Sequence, residues 1–516
     1  MNRETEFAMT HGEKEIIVES GAEFVLPDYN GEVRKILYSE AMLRPVSKFI
    51  GDEEIEFSGG VVYKIIYSDA EGKITGTEFT SDYDYSVKHG GESTEAAELD
   101  MRVSNFAIRL LGPRRFSAKA SLYGKVCLTE RIKLDSGIPE ESPPEEVEKK
   151  NKTVSVRCKR YIDREEKEIN ESLGYLEGVT EDEVRIIYTH SKAAVESYTT
   201  EGSLISMKAM VDLKCVIEKE GGAAYAMEKS LPLELELTLE TDACAREIIP
   251  RIEISTERFA ITPDEIGSDI VASVVIEYGA VVDKNVSVEL VEDAFLTTSA
   301  TENTYSELVF SMLGERISAR QEHNAEVPRG ELSEGVIREA VMVNAFPKIE
   351  SATIEDDKAV LVGEIKYIGV TSEVNDDGSI GYSPLKYTAE FKENVNITCQ
   401  NLPKLRMEAG ICADEAEVKF DADKAYFTSK LRIEAAVVSE DSARVLSGCA
   451  AIGEGKYEKE KATVKVYYPE PGEDVFSVAK RFHTTVARIS LDNAVSLQTA
   501  GGEAGDTVLP KRLIIY

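Results

Sequence analysis

The side chains that could do chemistry are sparse in this chain of 516 residues. Its five histidines lie far apart, with no H-E-x-x-H pair, and its cysteines show no C-x-x-C spacing, so no metal site and no cofactor are predicted. The histidines are His11, His89, His190, His323 and His483. Each is more typical of a solvated or hydrogen-bonded side chain than of a ligand.

Two other patterns fall short of an enzyme. Residues 450–457 (AAIGEGKY) approach a phosphate-binding loop but lack its first glycine and its Ser/Thr. Paired carboxylates could serve a glycosidase, yet among 95 acidic residues such pairs arise by chance, mostly on the wet faces of strands. No Ser-His-Asp or Cys-His arrangement can be placed. We therefore expect no catalytic residues and no enzymatic activity.

The charge of the chain limits its partners. Lys and Arg total 60 against 95 Asp and Glu, which gives a net charge of -35. Such a surface repels nucleic acid and anionic membranes. The N-terminal residues are acidic, and no apolar run is long enough to span a bilayer. The prediction is a cytoplasmic protein with no nucleic-acid partner and no direct membrane insertion.

The cysteines agree with a reducing compartment. They are odd in number and scattered, which predicts free thiols and no disulfide framework. They are Cys127, Cys158, Cys215, Cys244, Cys399, Cys412 and Cys449.

The elements that would position any site are predicted to be strands. Residues 55–67 and 231–240 alternate apolar and polar side chains with a period of two, which is typical of a sheet with one buried face. Helical spacing is scarce before residue 470, with short helices predicted only at 33–38 and 184–188. The predicted fold class is mainly β.

Two blocks of sequence recur at intervals near 150–160 residues. Residues 32–38 (EVRKILY) are echoed by 183–188 (EVRIIY) and more loosely by 334–340, and a second block at 102–120 has counterparts at 251–274 and 411–434. Three repeated modules are the favoured interpretation. The alternative is that any two amphipathic strands look alike.

Composition suggests the domain boundaries. The Pro- and Glu-rich stretch at 139–146 and the Gly-bearing charged run at 453–461 contain too few apolar residues to bury a core. The predicted division is a first β module at 1–138, a linker at 139–152, a second module at 153–298, a third at 299–456, and a small tail at 464–516.

The tail follows a different pattern, which predicts a β-α-α-β module. Asp474 and Thr485 are well placed as N-caps. Val475, Val478, Ala479 and Phe482 then form one apolar stripe at helical spacing. Residues 466–516 hold five basic and six acidic residues, so the tail is nearly neutral on an otherwise anionic chain.

Residues 466–482 (VYYPEPGEDVFSVAKRF), followed by Ile489 and Asn493, resemble the LysM domain. Asp474 replaces the family's usual Thr and preserves a cap, Phe476 keeps its aromatic residue, and Asn493 keeps its helix-ending Asn. The family's usual closing proline is missing. The resemblance implies a binding groove between the first turn and the loop after the second helix. Its expected residues are Gly472, Glu473, Asp474, Val475, Phe476, Ile489, Asp492, Asn493 and Ala494.

Three β-rich modules before one LysM-like tail resemble the SPOCS-repeat spore-coat assembly proteins. Residues 26–29 (LPDY) and 34–37 (RKIL) are similar to the start of that family's first repeat. The resemblance implies a non-enzymatic adaptor in the mother-cell cytoplasm at the forespore surface. The implied partner is a spore-coat morphogenetic protein, with a coat-basement ATPase as one candidate. The alternative is a peptidoglycan-binding protein whose tail grips N-acetylglucosamine chains.

Overall fold

The computed structural model describes residues 4–11, 14–89, 93–139, 142–143, 146–162, 164–239, 244–332, 337–375, 378–399, 401–452, 464–493 and 509–516. Strands dominate these residues, and the mainly β prediction is confirmed. The two α-helices found in the described part of the chain both lie in the tail.

The strands fall into three consecutive segments and the tail. The first segment contains β1 (Glu4–Thr10), β2 (Lys14–Val25), β3 (Val33–Leu43), β4 (Ser47–Ile50), β5 (Glu54–Asp69), β6 (Ile74–Lys88), β7 (Thr94–Gly112) and β8 (Arg115–Asp135). The second contains β9 (Val147–Tyr161), β10 (Glu165–Glu177), β11 (Val184–Glu201), β12 (Leu204–Lys219), β13 (Tyr225–Thr238), β14 (Ile248–Pro263) and β15 (Gly267–Leu296). The third contains β16 (Ala300–Pro328), β17 (Ile337–Glu355), β18 (Lys358–Val374), β19 (Ile380–Asn396), β20 (Leu405–Phe420) and β21 (Lys424–Ile452). The tail contains β22 (Lys465–Tyr467), α1 (Val475–Arg481), α2 (Val486–Asn493) and β23 (Leu513–Ile515).

One antiparallel connectivity occurs in all three segments. The last strand of each, β8, β15 or β21, is the centre of an outer sheet. It pairs along one edge with the first strands of its segment, which are β1 and β2, β9 and β10, or the single long β16. Along the other edge it pairs with β7, β14 or β20. The strands between them form an inner sheet centred on β5, β12 or β18.

Apolar side chains fill the space between the two sheets of each segment. In the second segment, Met207 and Val211 of β12 face Val274 and Ile276 of β15 in one buried cluster. The alternation that begins at residue 231 contributes to this core through Leu235 and Leu237, which are buried while Glu234 and Glu236 are exposed. The period-two pattern read in the sequence is therefore the pattern of burial.

The two short helices predicted before residue 470 are wrong. Residues 33–38 belong to β3 and residues 184–188 belong to β11. A β-bulge lies between Ile36 and Tyr38 in β3, and another lies between Ile186 and Tyr188 in β11. Because a bulge inserts one extra residue, two adjacent side chains become buried and the spacing imitates a helix.

The second segment begins earlier than its predicted boundary. β9 starts at Val147, so the predicted linker at 139–152 overlaps the first six residues of this strand. These residues pair with the end of β15, from Leu296 opposite Val147 to Leu290 opposite Lys152. The Pro- and Glu-rich stretch that suggested the linker precedes β9, and the overlapping residues 147–152 are the start of an edge strand.

Candidate functional site

Helix α1 begins at the cap predicted from the sequence. The Asp474 carboxylate accepts a hydrogen bond from the Ser477 amide at 2.8 Å. The Thr485 hydroxyl likewise accepts from the Arg488 amide at 3.2 Å at the start of α2. Each cap satisfies an amide that has no partner within its own helix.

The tail has a small core of its own. Val478 and Ala479 of α1, Ile489 of α2, and Leu513 and Ile515 of β23 are buried together. β22 and β23 pair as a two-stranded antiparallel sheet against the helices. The order strand, helix, helix, strand predicted from the sequence is therefore present.

Asn493 connects the end of α2 to β23. Its side-chain amide donates to the Ile489 carbonyl at 2.9 Å and to the Ile514 carbonyl at 2.8 Å. Its oxygen accepts from the Ile514 amide at 2.6 Å. These three bonds occupy the polar atoms of the Asn493 side chain and join the end of α2 to β23. Asn493 therefore stabilises the tail module. Ala494, the last predicted groove residue, lies outside the described residues.

One side of α1 rests on the ends of β9 and β15 in the second segment. The Phe476 ring meets the Phe295 ring edge to face, with centroids 5.2 Å apart. Lys150 of β9 forms an ion pair with Asp474, with Nζ and Oδ2 2.9 Å apart. Lys480 donates to both oxygens of Asp293, at 2.8 and 2.6 Å. These three pairs are called the anchoring contact below.

Both carboxylates of the anchoring contact favour the charged form. Burial acts to raise the pKa of Asp474, but hydrogen bonds from Ser477 and Lys150 outweigh it and lower that pKa. At Asp293 the burial effect is likewise outweighed, here by Lys480 and Tyr305, so the pKa of Asp293 is also lowered.

The loop at 472–476, expected to be an exposed groove wall, is largely covered. Val475 and Phe476 are buried. The Glu473 carboxylate accepts from the Tyr467 hydroxyl at 2.8 Å and faces Arg481. Gly472 adopts a positive φ of 83° in the turn and has open space around it. Phe476, expected from the LysM resemblance to line a binding groove, packs against Phe295 of the second segment.

The other described groove residues, Ile489 and Asp492, make contacts within the tail. Ile489 is buried in the tail core. Asp492 lies within reach of Arg488 one turn earlier, with Nε and Oδ2 3.8 Å apart. The structure thus brings most of the predicted residues into one module but gives them folding and anchoring contacts.

The opposite side of the tail is exposed and apolar. In β22 and its flanks, Val464, Val466 and Tyr468 alternate with residues that face the helices, and Val466 pairs with Ile514 of β23. Exposure is 56% for Val464 and Val466, 68% for Tyr468 and 59% for Tyr516. By the same alternation Arg512 lies on this side. These six residues, 464, 466, 468, 512, 514 and 516, are called the outer face.

A second site, which the sequence did not predict, lies where the three inner sheets meet. Leu37, Ile187 and Val341 are the bulged residues of β3, β11 and β17. The next residues are Tyr38, Tyr188 and Met342, and all six side chains share one buried cluster. This region is called the central junction.

A buried carboxylate organises the central junction. Glu40 is 1% exposed and accepts from the hydroxyls of Tyr38 and Tyr188, each at 2.7 Å. Asn344 donates to the same two hydroxyl oxygens at 2.8 and 2.9 Å. Burial raises the pKa of Glu40, although nearby Lys64 opposes that effect. Residues from all three segments therefore take part in a single hydrogen-bond network.

A buried charge cluster joins the second and third segments. Arg157 forms a two-bond pair with Asp283, at 2.9 and 2.7 Å, and also reaches Glu408 of β20 at 3.1 Å. Arg316 of β16 approaches the same Asp283. The Arg157 and Asp283 side chains are 4% and 0% exposed. Partners this far apart in sequence hold the segments in a fixed arrangement.

A recess of about 660 Å³ lies between β1 and the strands β9 and β15, with Lys149, Arg160 and Glu289 in its wall. It also holds Cys158, but burial raises the pKa of this thiol, which disfavours the nucleophilic thiolate. Within the described ranges, no three His, Cys, Asp or Glu side chains are grouped as a metal site would require.

Comparisons with family models, curated proteins and solved structures found no match to this chain. None of the helices in the described part of the chain is both long enough and apolar enough to cross a bilayer.

Proposed function

We propose that the protein is a non-enzymatic adaptor in spore-coat assembly. It acts in the mother-cell cytoplasm at the forespore surface, where its tail docks a coat morphogenetic protein such as a coat-basement ATPase. The LysM-like and SPOCS-like sequence patterns suggest this role.

The observation that supports the proposal best is how the tail is held. The anchoring contact fixes one side of the tail to the second segment, while the outer face stays exposed. A small module that is fixed on one side and apolar on the other suits an adaptor, because it presents a surface in a defined direction from a rigid body.

Affinity capture from sporulating cells tests the role. The full chain should retain a coat morphogenetic protein, and a chain ending at residue 463 should lose it. A second variant keeps the full length of the chain. Val478→Asp places a charge in the tail core, where Val478 is 0% exposed, and should unfold the tail alone. Retention of the same coat protein by both variants would show that the tail is not the docking module.

Glycan binding remains the alternative, with weaker support. Asp474 and Phe476, which the sugar groove would use, are already engaged by Lys150 and Phe295. A pull-down with purified peptidoglycan distinguishes the two roles. Strong retention of the full chain on peptidoglycan, with no coat protein captured from cells, would favour glycan binding over the adaptor function.

A further inference from the structure

We propose that the outer face of the tail is the surface on which the partner docks, and that the partner contributes an extended acidic segment with apolar side chains. This inference rests on the proposed adaptor function and identifies the surface that such a function would use.

The outer face is a contiguous apolar patch and not a set of scattered exposed residues. Single exposed apolar residues are common on any protein. Here five apolar side chains lie side by side on a two-stranded sheet, and two of them are the tyrosines 468 and 516. Contiguous apolar patches with aromatic residues mark interaction sites.

The other side of the module cannot offer an equivalent surface while the tail is anchored. Phe476 is buried against Phe295, and Asp474 and Lys480 each hold a partner on the second segment. A partner that used this side would first have to displace all three pairs. The outer face requires no such exchange.

The charge around the outer face selects an acidic partner segment. Arg512 lies on the face, and Lys511 lies beside it in the sequence and is exposed. The described part of the tail holds six basic and four acidic residues, whereas the whole chain carries -35. Because charges in the cell are screened over about 8 Å, a short acidic segment feels these cations more than the distant carboxylates.

The size of the face favours a segment over a folded surface. A stable dimer interface involves about 20–30 residues on each side, and the outer face has six. In addition, β22 pairs with β23 and, within the described residues, with no other strand. Its second edge can therefore hydrogen-bond an extended chain while the face takes that chain's apolar side chains.

The test measures binding of the full chain to a purified coat-basement ATPase as the probe. Val466→Asp places a carboxylate in the middle of the face and should weaken binding by about 30-fold or more, the range of an interface hot spot. Tyr468→Ala should weaken it by a similar factor without adding charge. Arg512→Glu should weaken binding by about 3- to 5-fold. It should also make binding less sensitive to salt concentration, as is expected for a charge at the rim of an interface.

Val309→Asp is the matched control, since Val309 lies on β16 and is 61% exposed; it should bind as the wild type does. Hydrogen exchange of the α1 amides checks that each tail variant stays folded. If Val466→Asp and Tyr468→Ala bind normally, the docking surface is wrong while the adaptor function stands. If the wild-type chain itself fails to bind, the adaptor proposal fails and this inference with it. Loss of self-association or of peptidoglycan binding alone would assign the face to a second copy or to a glycan, and would overturn the proposal.

Discussion

Two kinds of contact hold this molecule together, and they differ in burial. The central junction and the buried charge cluster, which join the segments, are closed to water: Glu40 is 1% exposed and the Asp283 side chain is 0% exposed. In the anchoring contact, the side chains of Lys150, Asp474 and Lys480 are 42%, 40% and 32% exposed. Removing one member of a buried charge pair is costly, whereas an exposed pair contributes little. The segments should therefore behave as one body, and the tail as a module attached to it.

The largest effect is expected from Arg157→Ala. Without the guanidinium, the fully buried Asp283 would keep only Arg316, and Glu408 would lose its contact across the segments. The free energy of unfolding should fall by about 3–5 kcal/mol, measured by urea denaturation. Arg131→Ala is the control, because Arg131 pairs with Glu6 and Glu95 at an exposed site; its midpoint should move far less. Equal shifts in the two variants would remove the distinction between the two kinds of contact.

A smaller effect is expected at the central junction. Glu40→Ala leaves the Tyr38 and Tyr188 hydroxyls without their shared acceptor, which should cost about 1–3 kcal/mol. Glu40→Gln keeps an acceptor oxygen and should cost less. Glu32→Ala, at an exposed position just before β3, should leave the urea midpoint unchanged. A wild-type midpoint for Glu40→Ala would show that the network adds nothing to the packing.

The anchoring contact should respond more weakly and locally. Asp474→Ala removes the cap of α1 and the partner of Lys150, and should destabilise the tail by about 0.5–2 kcal/mol. Hydrogen exchange should quicken in α1 but not in β5 or β12. Glu470→Ala, at an exposed site in the same turn, should alter neither. Faster exchange throughout the segments would mean that the tail is part of the same cooperative unit.

The smallest effect concerns acid. The pKa values of Asp293 and Asp474 lie below their ordinary value of 3.8. Folding therefore gains stability from both groups above pH 3.8 and loses it as the pH falls through their lowered values. Exchange in α1 should quicken in that acid range before exchange in β12 does. Asp293→Asn should flatten part of this dependence, and an unchanged profile in that variant would exclude Asp293 as a source.

The sequence predicted what depends on local periodicity. Alternation at 231–238 appears as alternating burial in β13, and the spacing of Val475, Val478 and Ala479 appears as the buried side of α1. The cap at Asp474 was also predictable, since it requires only one amide three residues away.

What could not be predicted depends on distant partners. Tyr38 and Tyr188 meet at Glu40 across about 150 residues, and Asn344 joins them from a third strand. The bulge at Leu37 buries two adjacent side chains, which a local reading takes for a helix. Phe476 likewise looked like a ligand contact because nothing near it in sequence points to Phe295.

The bulges have a consequence for how freely the three segments can change. Three residues beyond Leu37, Ile187 and Val341 are Glu40, His190 and Asn344. They occupy corresponding positions of their inner sheets, opposite Lys64, Lys214 and Ile368. Three copies of one sequence would place three carboxylates together at these positions, where like charges in a dry interior repel strongly. The Tyr38 and Tyr188 hydroxyls need one carboxylate acceptor, which is Glu40, and the corresponding positions of the other two segments must not be acidic. The segments are therefore not interchangeable: transplanting β3 into the place of β11 would bring a second glutamate to the centre, and chain order itself becomes part of the fold.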